Sequence, residues 1–544
     1  MASYRLFFAA FLMFVLVVIT QAADSPSSIR QIIDAEIIKA NKARVTVAVP
    51  ACTDLEFLRR TSLDLVGSIP TVAQIREFLA SKSSNKREEW VDSLLKSPAH
   101  AWFFARVLDV QLMEGRPDKH VNSGEWRKYL RDSISNDKPY DQLVREILTA
   151  DGVDEKTRPA AKFYLDREGE PHLLTRDISR LLLGANWQCA QCHDHPRIED
   201  YKQDLYYGLY AFLNRSYVFT DPKTKKAVLA EKADGEASYQ SVFDAAKTTK
   251  TSLPKVAFKP AIAEPKMEKG KEYEIAPAKD KRGVPKYSRR SQLAGELASD
   301  KFPPFARNIA NRLWAHMMGR GLVHPLDLEH GDNPPSHPEL LNALGSKMVA
   351  NKFQYKPFLK EIALSKTYGL SSLVPEGMKD PKPEEFLVGP MKPLTNEQFA
   401  FAMLQASGFV EAEKQALGAK YNEDALQAKL DAKVGPVLSV LAGQPGQTAA
   451  YEARVEQALF LANNTYLQSL ISVRPGSLPA RLVALEDSSA FAEELYLGVL
   501  TRFPTPDEKK EVASALEKAG KDKSNLVRDL IWALITSAEF RFSI

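Results

Sequence analysis

Two of the chain's three cysteines stand three residues apart with a histidine directly behind them, in Trp187-Gln188-Cys189-Ala190-Gln191-Cys192-His193-Asp194-His195-Pro196. The order C-x-x-C-H has a specific chemical use. Two thiols at this spacing can add across the two vinyl groups of one haem, and the histidine then reaches the iron as an axial ligand. On that reading Cys189 and Cys192 anchor a covalent haem c and His193 is the iron ligand. The ligating nitrogen must be neutral, so the other ring nitrogen is expected to donate a hydrogen bond that fixes the ring. The same residues support two further readings. Cys189 and Cys192, with His193 or His195 and one distant ligand, can clip zinc or non-haem iron. The two thiols can also close a disulfide. The order of preference is haem, bare metal, disulfide.

A sixth iron ligand is not marked. Met113, His120, His172, His316 and His324 are the candidates. Without one, the iron would be open to a small molecule or peroxide; with one, electron transfer is favoured. His195 is too near His193 in the chain to reach the opposite face of the same haem. Asp194 and His195 are therefore expected to support His193. No other catalytic signature is present: there is no H-E-x-x-H, no G-x-S-x-G and no G-x-x-x-x-G-K-[ST]. No catalytic residue is assigned.

The compartment follows from the N-terminus. Arg5 precedes an apolar run from Leu6 to Ile19, and Thr20-Gln21-Ala22 offers small residues for cleavage, so residues 1–22 read as a signal peptide. The run is shorter than the roughly 18 to 20 residues of a spanning helix. No later run is long and apolar enough to span a membrane. The expectation is an exported protein of the periplasm or cell envelope. With 73 basic and 69 acidic side chains, the net charge is only +4. Such a mixed surface is not the basic face that nucleic acid requires. Cys52 is the odd cysteine and reads as a free thiol.

The elements that must position the motif are helical. Over 27–215, apolar residues recur at helical spacing, and Thr71 with Gln74 forms a capping box. Leu173 to Leu183 reads as the helix before the motif, with Gly184 able to end it. Tyr206, Tyr207, Tyr210, Phe212 and Leu213 make an aromatic stretch behind it. Such a composition suits a porphyrin pocket and equally an ordinary core. Over 216–285 the character changes. Tyr217–Thr220 and Ser238–Phe243 read as strands, and a Lys/Ala/Pro/Glu-rich extended linker follows. From 286 to 544 helices return. Phe305, Ile309, Leu313 and Met317 form an apolar stripe, and Asn308, Arg312, His316 and Arg320 form a polar one. The polar stripe reads as a solvated or structurally paired face before an anion-binding row for a haem propionate or an acidic glycan. Capping boxes are expected at Ser336/Glu339, Thr395/Gln398 and Thr505/Glu508. The fold class is mainly α: two helical domains, 27–215 and 286–544, separated by a small β-rich insert and extended linker.

Cys189-Ala190-Gln191-Cys192-His193-Asp194-His195-Pro196 with Tyr206-Tyr207-Gly208-Leu209 resembles the planctomycete cytochrome c-type domain family. So does Phe57-Leu58-Arg59-Arg60 with Leu63-Asp64-Leu65-Val66-Gly67. In that family a second domain of unknown function follows. Its pattern is similar to Asn311-Arg312-Leu313-Trp314-Ala315-His316, Gly319-Arg320-Gly321-Leu322-Val323 and Asn333-Pro334-Pro335-Ser336-His337-Pro338-Glu339 here. The resemblance implies an exported protein with a redox role, tied to polysaccharide use, and a redox partner protein. Where family members carry a run like Leu-Ala-Arg-Tyr-Ala-Asp, this chain has Val110-Gln111-Leu112-Met113-Glu114-Gly115. The alternative function is a non-haem binding or scaffold protein of the envelope, clipped by a metal or a disulfide and engaging a glycan.

Overall fold

The computed structural model describes residues 27–42, 47–441, 455, 459–460, 465–520 and 522–543. The signal peptide expected over 1–22 lies outside the described residues. The fold is mainly α-helical, and its described strands pair only as two-stranded antiparallel sheets. No helix among the described residues is long and apolar enough to cross a membrane.

The chain opens with α1 (Ile29–Ala40), α2 (Asp54–Val66), α3 (Val72–Ala80), α4 (Lys86–Lys96) and α5 (Pro98–Met113). It continues with α6 (Ser123–Ser135), α7 (Tyr140–Thr149), the short α8 (Lys162–Leu165), α9 (Pro171–Leu183) and α10 (Gln203–Leu213). After the insert come α11 (Arg289–Leu297), α12 (Pro303–Met318), α13 (Pro338–Ala350) and α14 (Tyr355–Ala363). Then follow α15 (Asn396–Ala406), α16 (Phe409–Leu417), α17 (Glu423–Leu441) and helices over Leu478–Ala484, Ser488–Leu500, Pro506–Ala519 and Lys523–Thr536.

The helix starts follow the capping chemistry. Thr71/Gln74, Thr395/Gln398 and Thr505/Glu508 all form reciprocal capping boxes, in which each side chain satisfies a free backbone N–H. Ser336/Glu339 does not. His337 is the N-cap of α13, without a side-chain cap, and the Ser336 hydroxyl instead lies 3.1 Å from His337 Nδ1. Pro338 at the first helical position needs no N–H partner, which removes part of the need for a cap.

In the insert, β1 (Ser216–Thr220) pairs with β2 (Ala227–Glu231). Next, β3 (Ala237–Tyr239) pairs with β4 (Lys250–Ser252). The strand expected to reach Phe243 ends at Tyr239, and 240–249 is the loop of this second hairpin. Asp244 organises the loop by accepting the N–H groups of Ala246 and Thr248. The linker that follows is extended but docked. Val256 and Ala257 are buried in the main core, and the Glu264 carboxylate is held by Arg215 and Arg289.

The buried apolar residues form two large clusters. One takes in residues from Ile29 to Phe386, on both sides of the insert. The other is built from residues between Leu394 and Phe540, joined by Leu63 and Ile69. The helix α2 runs between them and is buried at every position from Phe57 to Leu65. Its polar side chains must therefore find partners inside. Arg59 reaches the carbonyl of Phe540 at 3.1 Å, and burial pushes its guanidinium down to about 10. Arg60 reaches the carbonyl of Tyr368 at 2.6 Å. The Asp64 carboxylate accepts the Tyr368 hydroxyl at 2.7 Å and lies 2.7 Å from Lys392 Nζ. Gln398 donates to the Leu63 carbonyl at 2.9 Å. Cys52 is a buried free thiol, raised by that burial.

Candidate thiol and imidazole site after helix α9

Gly184, in the left-handed region with φ of 72°, ends α9 and turns the chain toward the motif. A Cβ here would lie 3.0 Å from Asn308 Oδ1 and 3.3 Å from the Leu326 carbonyl, so the turn also needs the missing side chain. The polar stripe of α12 does its work at this point. Asn308 donates to the Leu181 carbonyl at 2.9 Å, and Arg312 donates to the Arg180 carbonyl at 2.8 Å. These are end carbonyls of α9 that have no partner within the helix. His316 Nε2 lies 2.7 Å from the Asp64 carbonyl, and Arg320 faces Glu384 at 3.9 Å. Asn308, Arg312 and His316 are thus paired internally, while Arg320 keeps only the longer contact with Glu384.

The segment after α13's predecessor α12 holds both flanks of the motif. The Asn186 N–H donates to the Asp327 carbonyl at 2.8 Å, and the Glu329 backbone N–H donates to the Gly184 carbonyl at 2.9 Å. Beyond the motif, the Tyr201 hydroxyl donates to the Glu329 carbonyl at 3.1 Å, and the Gly331 N–H donates to Asp200 at 2.6 Å. Glu114 forms a two-point pair with Arg180 of α9 at 2.5 Å.

Between these anchors, Gln188–Gln191 form one turn of 3₁₀ helix, continued by the Cys192 N–H donating to the Cys189 carbonyl at 3.3 Å. Residues three apart eclipse one another in such a turn. Cys189 and Cys192 therefore share a side, while Ala190 between them is buried. Both thiols are free and exposed. The His193 Nδ1 lies 2.7 Å from the Asp194 carbonyl, which can only accept, so Nδ1 carries the proton. In the neutral ring Nε2 is then the nitrogen with the lone pair, and it has no hydrogen-bond partner among the described residues. This is the ligating tautomer, fixed by a hydrogen bond on the other nitrogen.

Asp194 and His195 support the site differently from expectation. The Asp194 carbonyl, not its carboxylate, meets His193; the carboxylate accepts the Gln203 N–H at the start of α10 at 2.9 Å. His195 Nδ1 accepts the N–H groups of Ile198 at 2.9 Å and Arg197 at 3.2 Å. In the neutral ring the proton is therefore on Nε2, and Nδ1 is taken as an acceptor of backbone N–H groups. Burial lowers its pKa, with the nearby His193 and His330 adding to the effect. Among the described residues, no group of three or more His, Cys, Asp or Glu is placed to hold a metal ion.

Of the aromatic stretch behind the motif, Tyr206, Phe212 and Leu213 are buried in the main core, Tyr210 packs on His172, and Tyr207 bonds the motif turn. The Tyr207 hydroxyl donates to the Gln191 carbonyl at 2.9 Å, and its ring stacks on Tyr239 with centroids 4.2 Å apart. Burial, then Tyr210 and Cys192, push the Tyr207 phenol up to about 12. Phe243 lies against the His193 ring with centroids 4.6 Å apart. Of the sixth-ligand candidates, Met113 is buried beside Arg167 at 3.6 Å, and His120 pairs with Glu168 at 3.0 Å. His172 meets the Tyr206 hydroxyl at 2.9 Å, His316 is taken by Asp64, and His324 is exposed. The structure brings none of them into contact with His193. His330, absent from that set, comes near through Tyr201, with ring centroids 5.5 Å apart. Neither it nor Phe243 carries a motif signal; only the fold brings them here.

The donor set fits a covalently attached haem: two accessible thiols on one side of a turn, followed by an imidazole with Nε2 free. In the comparisons, residues 32–217 match the model of a protein family of unknown function (DUF1549), and residues 289–516 match that of a second (DUF1553). The matches leave the β insert between them. No curated protein and no solved structure matches the chain.

Proposed function

We propose that this ordered pair of regions of unknown function makes up an exported c-type haem protein with an electron-transfer or haem-linked redox role. The observation that carries the reading is the contact of His193 Nδ1 with the Asp194 carbonyl, which leaves Nε2 without a partner beside two free thiols on one 3₁₀ turn. Cys189 and Cys192 would hold the group through thioethers. In each addition a sulfur–carbon bond forms, the thiol proton passes to the other vinyl carbon, and no net oxidation occurs. His193 Nε2 would face the iron. A haem held in this way supplies one-electron exchange at its iron, with a redox partner protein as the other party. The Asp194 carbonyl keeps His193 in the ligating tautomer, and Tyr207 and Gln203 hold the turn through the Gln191 carbonyl.

The test is a pyridine haemochrome spectrum of protein produced in a host with periplasmic haem-attachment machinery, after denaturation and acid–acetone extraction. A c-type band that stays with the polypeptide is expected. Folded, colourless protein overturns the reading. Zinc or non-haem iron bound to that protein would then make Cys189, Cys192 and His193 a metal clip, and loss of both free thiols would make them a disulfide.

A further inference from the structure

The loop 240–249 of the insert has no apolar core of its own, yet it is tied to the motif at several points. The Val242 N–H donates to the Cys192 carbonyl at 3.0 Å. The Gln203 amide reaches the carbonyls of both Gln191 and Gln240, at 3.4 and 3.3 Å. Tyr239, the last residue before the loop, is stacked on Tyr207, which itself bonds the turn. So fixed, the loop lays Phe243 against the His193 ring, while Phe243 stays 76% exposed and Val242 66% exposed. Two large apolar side chains held in water beside an iron-ligand candidate form an exposed apolar patch open to an apolar group.

We propose that this loop is a wall of the cofactor site, with Phe243 and Val242 packing on the His193 side of the group that Cys189 and Cys192 hold. The inference rests on the haem reading and adds its environment. A cover of apolar side chains keeps water from the iron and disfavours the more highly charged oxidised form. The insert would then set the reduction potential, although the ligand residues lie outside it.

The experiment compares wild type, Phe243→Ala and Phe243→Leu as full-length, haem-loaded proteins. Haem is quantified on the denatured polypeptide, and the potential is measured by equilibrium redox titration. Phe243→Ala is expected to keep its covalent haem and shift to a lower potential, with Phe243→Leu restoring most of the difference. Covalent haem with the same potential in all three overturns the wall. A wild type without covalent haem overturns the functional reading and the wall with it. A second measurement needs no haem. Val242→Pro removes the N–H that holds Cys192, so amide exchange across 186–196 should quicken in the apoprotein. Unchanged exchange there means that the loop does not clamp the motif.

Discussion

At the residue scale, the site depends on where protons sit. Cys189→Ala with Cys192→Ala should abolish covalent haem. His193→Ala should keep both thioethers but lose the axial imidazole, which the absorption spectrum of the native protein would show. A His193→Ala protein with an unchanged spectrum would place the iron ligand elsewhere. A different histidine governs acid stability. His100 is fully buried on α5, with Nδ1 2.7 Å from the Leu65 carbonyl and Nε2 without a partner. Burial lowers its pKa from 6.5 to about 4. Between those values the unfolded chain binds a proton that the folded chain does not. Stability is then fully present above pH 6.5 and is lost as the pH falls toward 4. From pH 8 to pH 5 the loss from His100 should be about 2 kcal/mol. Urea unfolding at both values should show it, and His100→Asn should flatten the difference. The motif itself was legible in the sequence because its chemistry is local: residue types and spacing along a few positions. A hydrogen bond on the second ring nitrogen of His193 is expected on chemical grounds, but its partner is not, because a backbone carbonyl leaves no mark in the sequence.

At the element scale, capping residues announced several helix starts because the cap lies within one turn of what it caps. The Ser336/Glu339 pair failed because Pro338 changes what the helix start requires. Residues 240–243 read as strand in the sequence because Val242 and Phe243 have strand-forming side chains, while Asp244 folds the backbone into a loop. The α12 stripe was legible as a stripe, but its partners, the end carbonyls of α9, come from 127 residues or more away in the chain. That long-range tie makes a testable point. Asn308→Ala should leave the Leu181 carbonyl without its partner and cost about 1–3 kcal/mol. Gly184→Ala forces a side chain into the left-handed region and toward Asn308, at a cost of about 1–3 kcal/mol. Both should loosen the motif turn, and amide exchange over 184–193 is the measurement. Destabilisation with unchanged exchange there would mean that α12 holds α9 but does not position the site.

At the scale of the whole molecule, the two matched regions are joined through α2. Its arginines satisfy carbonyls near both Tyr368 and Phe540, and Asp64 meets Lys392. The residues Phe57-Leu58-Arg59-Arg60 and Asp64, which carried part of the family resemblance, therefore act as fasteners. Nothing in their local sequence says so, since each partner lies hundreds of residues away. Removing one side of such a buried pair leaves a charge without compensation, so Lys392→Met should cost about 3–5 kcal/mol. Asp64→Asn combined with Lys392→Met should cost less than the sum of the two singles, because no unpaired charge remains. The main core raises the stakes further, because it is built from residues on both sides of the insert. A polypeptide ending at residue 285 would expose the surfaces that α12, α13 and α14 cover, and would leave Arg59, Arg60 and Asp64 inside without partners. It should fail to fold alone. Co-expressed with residues 286–544, it should recover helical content and a cooperative thermal transition, measured by circular dichroism. A cooperative transition in the N-terminal piece by itself would show that the motif's scaffold is autonomous, and that α2 joins two units each stable without the other.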